Sequence, residues 1–88
     1  MKLKYEFSVQ EVADMFVAIA KNRETRTVES VFHLNETSAL ILKALQMGHD
    51  VPAIVEQILS QYDIEPQDAA EEVNAFIHLL KENGMDNK

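Results

Sequence analysis

The sequence predicts an α+β domain in which a three-stranded antiparallel sheet is followed by three helices. Two observations predict this class. The first third of the chain alternates apolar and polar residues with the period of two that strands have. The second half carries apolar residues at helical spacing in short segments separated by capping residues, glycines and prolines. At 88 residues the chain is predicted to be a single domain over residues 1–88, with an ordered core of about 3–84.

The first strand is predicted near the N-terminus. Apolar side chains share one side of an extended chain there: Leu3, Tyr5 and Phe7. Because Val12 breaks this alternation, the strand is predicted at 3–7, at 7–12, or as one strand with a bulge. Ala13 and Asp14 then offer a tight turn.

The second and third strands are separated by a polar loop at Lys21–Thr27. Met15–Ala20 is apolar on both faces, which is typical of a central strand. Val28–Leu34 returns to alternation, with Phe32 and Leu34 predicted to point towards the core. The residues predicted to point away from it are Glu29, Val31 and His33. The three segments therefore predict an antiparallel meander.

The first helix is predicted to begin after Asn35, whose amide oxygen can cap the exposed N–H groups of a first turn. Thr37 or Ser38 would serve as well. The helix is expected to run to about Met47, because Gly48 can adopt the positive φ that ends a helix.

The second and third helices have similar signals. Asp50 is the predicted cap of the second helix, with Pro52 in its first turn. The third is predicted to begin at Pro66, with Asp68 in its first turn, and to stop at Gly84. Its apolar stripe comprises Ala69, Val73, Phe76, Ile77 and Leu80. Strands followed by three short helices suggest a winged-helix-like arrangement.

Charge and composition exclude several classes of function. The net charge is −7, and from Asp50 onward the only bases are Lys81 and Lys88. We therefore expect no nucleic acid partner and no anionic membrane partner. The absence of cysteine excludes disulfides and thiolate zinc sites and is compatible with a cytoplasmic location, which we expect. No apolar run approaches the ~20 residues that cross a bilayer.

Catalytic patterns are also missing. The histidines are scattered at 33, 49 and 78 with no i,i+4 pair, and both glycines are predicted helix stops. No serine lies in a nucleophile elbow. We predict that the chain is not an enzyme and holds no metal or other cofactor.

One feature favours a binding function. If the meander is right, residues 28–34 form an edge strand that lacks the lysines, prolines or bulges with which edges are usually protected, and Glu29 is the one protecting residue inside it. The first strand has such protection in Lys2, Lys4 and Glu6. An extended peptide could add a strand to the unprotected edge. Alternatively, the N-terminal arm covers this edge, or a second copy of the chain pairs with it and forms a homodimer.

Three stretches together resemble a known family: "EVADMFVAI" (11–19), "LNETSALILKAL" (34–45) and "IVEQILSQYDIEPQDAAEEVNAFIHLLKENGM" (54–85). Their order resembles the pyrroloquinoline quinone synthesis protein D (PqqD) family, whose members share a Leu-Asn-Glu-Thr junction, a Tyr-Asp-Val-like link, and a last helix ending in Lys-x-x-Gly. The chain departs from the family at Leu42, where members often have tryptophan after isoleucine, and in the highly charged loop Lys21–Thr27.

This resemblance implies a peptide chaperone, the recognition element of pathways that modify ribosomally made peptides into cofactors or peptide natural products. Such a domain captures the leader segment of a precursor peptide by strand addition. It presents that segment to a modifying enzyme, often a radical SAM protein, and does no chemistry itself. The implied contact residues are Val28, Glu29, Ser30, Val31, Phe32 and His33 on the strand, and Ala69, Glu72, Val73, Phe76 and Leu80 on the last helix. The alternatives are a dimerising structural module and, less favoured, a DNA-binding winged helix.

Overall fold

The computed structural model describes residues 3–85 and confirms the predicted fold class. The elements are β1 (Tyr5–Val12), β2 (Met15–Asn22), β3 (Val28–Leu34), α1 (Glu36–Gln46), α2 (Val51–Gln61) and α3 (Pro66–Glu82). The strands form one antiparallel sheet in the order β1-β2-β3, so β2 is central and the other two are edges. α1 packs against all three strands, and α2 and α3 pack against each other.

β1 differs from each of the three forms considered for it. It pairs with β2 in an unbroken register from Tyr5 opposite Asn22 to Val12 opposite Met15, with no bulge. Val12 departs from the alternation because it lies at the exposed end of the hairpin, where no face is buried. The irregularity lies instead between β2 and β3, where Ala20 is opposite Ser30 but Lys21 is opposite Val28. Glu29 is therefore an extra residue in β3, a bulge near the start of a strand that the sequence predicted to have none.

The turn between β1 and β2 consists of Ala13 and Asp14, as predicted. Both residues have positive φ, 50° and 68°. Two such residues between paired strands form the turn whose twist matches that of a hairpin. The turn therefore fixes the register of the hairpin even though the sequence lacks the glycine that such turns prefer.

The charged loop is shorter than predicted because β2 continues to Asn22, which organises the turn. The side-chain oxygen of Asn22 accepts hydrogen bonds from the backbone N–H groups of Glu24 and Thr25, at 2.9 and 3.1 Å. Its backbone also bonds to Arg26 and Thr27. This compact turn brings β3 back beside β2 with the predicted bounds.

Side-chain caps begin the first two helices, as the sequence predicts. The Asn35 side-chain oxygen accepts from the N–H of Ser38 at 2.7 Å, and that of Asp50 accepts from the N–H of Ala53 at 3.0 Å. Gly48 follows α1 with φ of 89°, a conformation that costs other residues steric strain. α3 begins at Pro66 without a side-chain cap. No described helix has the length and apolar character needed to cross a membrane.

The core lies between the sheet and the helices. β2 contributes Ala18 and Ala20, both fully buried, and small side chains at these positions allow the helices to approach the sheet closely. The largest fully buried side chains are Ile41, Leu42, Ile54, Ile58 and Val73. Each contributes about 1.5–3 kcal/mol through burial. Val73 and Leu80 anchor α3 in this core, and this holds the helix beside β3.

Candidate functional site: an open strand edge and the adjoining cleft

The outer edge of β3 has no strand beside it within residues 3–85. In an antiparallel ladder, alternate residues direct their N–H and C=O groups to opposite neighbours. The two-residue turn makes Val12 and Met15 a hydrogen-bonded pair, so the even-numbered residues of β2 bond to β3. Their partners in β3 include Ser30 and Phe32. The backbone groups of Val31 and His33 therefore point outward, away from the sheet.

Side chains of β3 alternate as predicted. Ser30, Phe32 and Leu34 are half-buried on the helix side, whereas Glu29 and His33 are exposed. Val28 and Val31 are large apolar residues with 51% and 60% of their surface exposed. The Glu29 carboxylate accepts a hydrogen bond from the Asn22 side-chain amide at 3.0 Å. The edge strand is thus apolar on both faces at its middle.

A cleft of about 410 Å³ separates β3 from α3. It is lined by Ser30, Phe32, His33, Leu34, Asn35, Ser38, Phe76, Leu79, Leu80, Asn83 and Met85. Phe32 is held in place by an edge-to-face contact with Phe7, with ring centroids 6.2 Å apart. Met85 is held by the backbone N–H of Lys4, which donates to its carbonyl at 2.9 Å. The described part of the N-terminal arm therefore meets the end of the cleft and leaves the β3 edge open.

A second depression, of about 350 Å³, shares four lining residues with the cleft, at 35, 38, 76 and 79. Its other lining residues are Ile41, Glu72 and Ala75. The two depressions form a continuous groove along α3, from Asn83 past Leu79 to Glu72, since these residues share one face of the helix.

The structure brings together some of the implied contact residues and separates others. Ser30, Phe32, His33, Phe76 and Leu80 line the cleft, and Glu72 lines the depression next to it. Val28, Glu29 and Val31 lie on the open strand without lining the cleft.

Two implied helix residues, Ala69 and Val73, have no exposed surface. Both belong to the apolar stripe of α3, and that face of the helix packs in the core. A peptide in the groove therefore does not reach these two side chains in this structure. Leu79 lies outside that stripe and was not predicted as a contact, although it lines both depressions and is 52% exposed. Its signal in the sequence is an apolar residue outside the buried stripe.

Charge is distributed unevenly around the groove. Residues 1–34 contain as many acidic as basic residues, so the whole net charge of −7 falls on residues 35–88.

Partial burial, and then the neighbouring Glu36 carboxylate, raise the pKa of Tyr62 above its usual 10.0, and the charge of Glu72 adds to this. Within residues 3–85, no three side chains of the metal-binding types converge.

Comparison with known proteins agrees with this architecture, which is a winged-helix-like α+β domain with an open sheet edge beside its last helix. The family model described as "Coenzyme PQQ synthesis protein D (PqqD)" matches residues 22–85. The chain therefore belongs to the PqqD family, as the resemblance predicted. A search of the curated proteins found no match.

Two solved structures are similar over almost the whole chain. The chain is 30% identical to a "Lasso peptide synthetase B1 complexed with the leader peptide", with a TM-score of 0.72 and coverage of 99% of this chain and 96% of the other. It is 18% identical to "TbiB1 in Complex with the TbiA(beta) Leader Peptide", with a TM-score of 0.73 and coverage of 99% and 95%. The second similarity establishes the fold alone.

Proposed function

We propose that the chain is a peptide chaperone that binds the leader segment of a ribosomally made precursor peptide as a fourth strand on β3. The observation that carries this proposal is the open β3 edge next to an apolar cleft. The 30% identical lasso peptide synthetase B1, a structure solved with a leader peptide, supports it.

Strand addition uses both walls of the groove. The outward N–H and C=O groups of Val31 and His33 would hydrogen-bond to the backbone of the added strand, which we call the guest strand. Alternate side chains of the guest would enter the cleft and pack on Phe32, Phe76 and Leu80. A few backbone bonds and two or three buried side chains, less the cost of ordering a peptide, give an affinity near micromolar, or about 8 kcal/mol.

The function is binding without chemistry. We propose that the chain holds no cofactor, acts in the cytoplasm, and presents the captured leader to a separate modifying enzyme of the radical SAM type or another class. The acidic residues of α3 make DNA the weaker alternative, because they would repel phosphates.

The decisive test is Val31→Pro. Proline removes the outward N–H of Val31 without breaking a bond to β2, because that N–H faces away from the sheet. Random linear peptides displayed on phage are selected on the native chain, and the affinity of a selected peptide is measured by fluorescence anisotropy. Val31→Pro should abolish binding while the helical circular dichroism stays native. The matched control is Val31→Thr, which keeps the N–H and should bind.

Failure of the proposal has a clear form. If no peptide is enriched, or if the selected peptide binds Val31→Pro as tightly as the native chain, capture on β3 is contradicted. Light scattering separates the remaining alternative, in which β3 pairs with the same edge of a second copy. A stable dimer that peptide does not dissociate would favour a dimerising module.

A further inference from the structure

The groove beside β3 carries a single carboxylate. Among the residues that line the cleft and the adjoining depression, Glu72 is the only acidic residue, and none is lysine or arginine. Glu72 is exposed, and within residues 3–85 no cation lies within ion-pair distance of it; the two ion pairs there are Arg26 with Glu6 and His78 with Glu82. The charge of Glu72 is therefore available to a ligand that occupies the groove.

The direction of the groove places Glu72 at one end of a guest strand. Asn35, just after β3, lines the depression together with Glu72, whereas Met85 meets Lys4 at the opposite end of the sheet. α3 thus runs antiparallel to β3. With a helical rise of 1.5 Å per residue, Glu72 lies about 10 Å along the helix from Leu79. A strand covers that distance in about three residues, so the groove-facing guest side chains that come nearest to both Leu79 and Glu72 are two or four residues apart.

We propose that the guest peptide carries a lysine or arginine that pairs with Glu72, two or four residues from the guest side chain that packs on Leu79, because side chains on one face of a strand recur at every second residue. This inference rests on the proposed function, because it names the chemistry of the peptide captured there. Antiparallel pairs are commoner than parallel ones. A guest antiparallel to β3 begins beside Asn35, so the basic residue should lie on the N-terminal side of the apolar residues that enter the cleft.

The physical argument is charge complementarity at the end of an apolar groove. A guest covering the depression removes water from the Glu72 carboxylate, and an apolar or acidic guest residue would leave that charge without a partner. A basic guest residue replaces the lost water with an ion pair. Because the pair stays partly exposed, its contribution is modest, and salt should weaken it.

The test uses peptides selected from the displayed random library, so that no cognate peptide has to be known. We expect enriched peptides to share a lysine or arginine at a fixed distance from their apolar residues. Glu72→Gln should weaken the selected peptide roughly two- to fivefold, the range measured for exposed ion pairs. Replacing the basic residue of the peptide by glutamine should have the same effect, and the two changes together should cost little more than either alone.

Glu71→Gln is the matched control. Glu71 is exposed on the same helix but does not line the groove, and its replacement changes the net charge by the same amount. General attraction between an acidic domain and a basic peptide would make the two variants equally weak, whereas a specific pair affects only Glu72→Gln. Glu72→Lys should in turn prefer a peptide whose basic residue is exchanged for glutamate.

The outcomes distinguish this inference from the function on which it rests. Suppose that selected peptides bind in a manner sensitive to Val31→Pro but share no basic position, or that Glu72→Gln behaves like Glu71→Gln. Strand capture would then stand, and the pairing with Glu72 would be wrong. If no peptide is enriched, both are contradicted.

Discussion

Leu79→Ala tests whether the side chains of a guest strand pack in the cleft. Leu79 is 52% exposed and lines both depressions, so a guest strand can cover only the half that the chain itself leaves open. Complete burial of a leucine side chain is worth about 1.5–3 kcal/mol. Covering half of it gives about 0.8–1.5 kcal/mol, so truncation to alanine should weaken binding about four- to thirteenfold.

The assay is fluorescence anisotropy of a peptide selected on the native chain, at a protein concentration where urea unfolding shows each variant to be folded. Val12→Ala is the matched control, because Val12 is 56% exposed but lies at the hairpin end of the sheet and lines neither depression. It should leave binding unchanged. If Leu79→Ala binds within twofold of the native chain while Val31→Pro does not bind, the guest pairs with β3 but does not fill the cleft.

Three further predictions concern stability and the limits of the site. Asn35→Ala and Asp50→Ala should each lower the free energy of unfolding, measured in urea, by about 1 kcal/mol, because each removes a helix cap. Of the two residues only Asn35 lines the cleft, so equal peptide binding by the two variants would contradict the place of Asn35 in the site. Ala13→Gly should raise the urea midpoint, with a gain of about 0.5–1 kcal/mol, by relieving a positive φ; an unchanged midpoint would refute this. Gln46→Met should speed hydrogen exchange at the Phe7 amide and cost about 1–3 kcal/mol, and unchanged exchange would show that this bond is not formed in solution.

The sequence predicted β3 with its correct bounds because independent signals coincide at both of its ends. A polar loop precedes Val28, and Asn35 is a strong cap directly after Leu34. No such signals coincide at the ends of β1. At the hairpin end neither face of the strand is covered, so apolar and polar side chains are both tolerated there, and the alternation that identifies a strand disappears around Val12.

The strand wall and the helix wall of the groove also differ in how far the sequence predicts them. Alternation in β3 determines which backbone groups and side chains point outward, so the strand wall could be derived from the sequence. On α3, periodicity identifies the residues that pack most tightly, and these are core residues such as Val73. The groove wall is the neighbouring row of side chains, among them Leu79, which is only half covered. Which row borders the groove depends on how α3 is rotated against the sheet, and that is set by tertiary packing.

The two edges of the sheet are not equivalent, and this difference explains why a guest should choose β3. At the β1 edge the chain satisfies the outward backbone groups of Phe7: the Gln46 side-chain amide accepts from the N–H of Phe7 and donates to its carbonyl, the latter at 2.6 Å. A strand adding there would have to displace both bonds, at a net cost of about 1 kcal/mol each. That is roughly a thirtyfold penalty. At β3 the outward groups of Val31 and His33 exchange only water for the guest backbone, so the same fourth strand binds more favourably on that side.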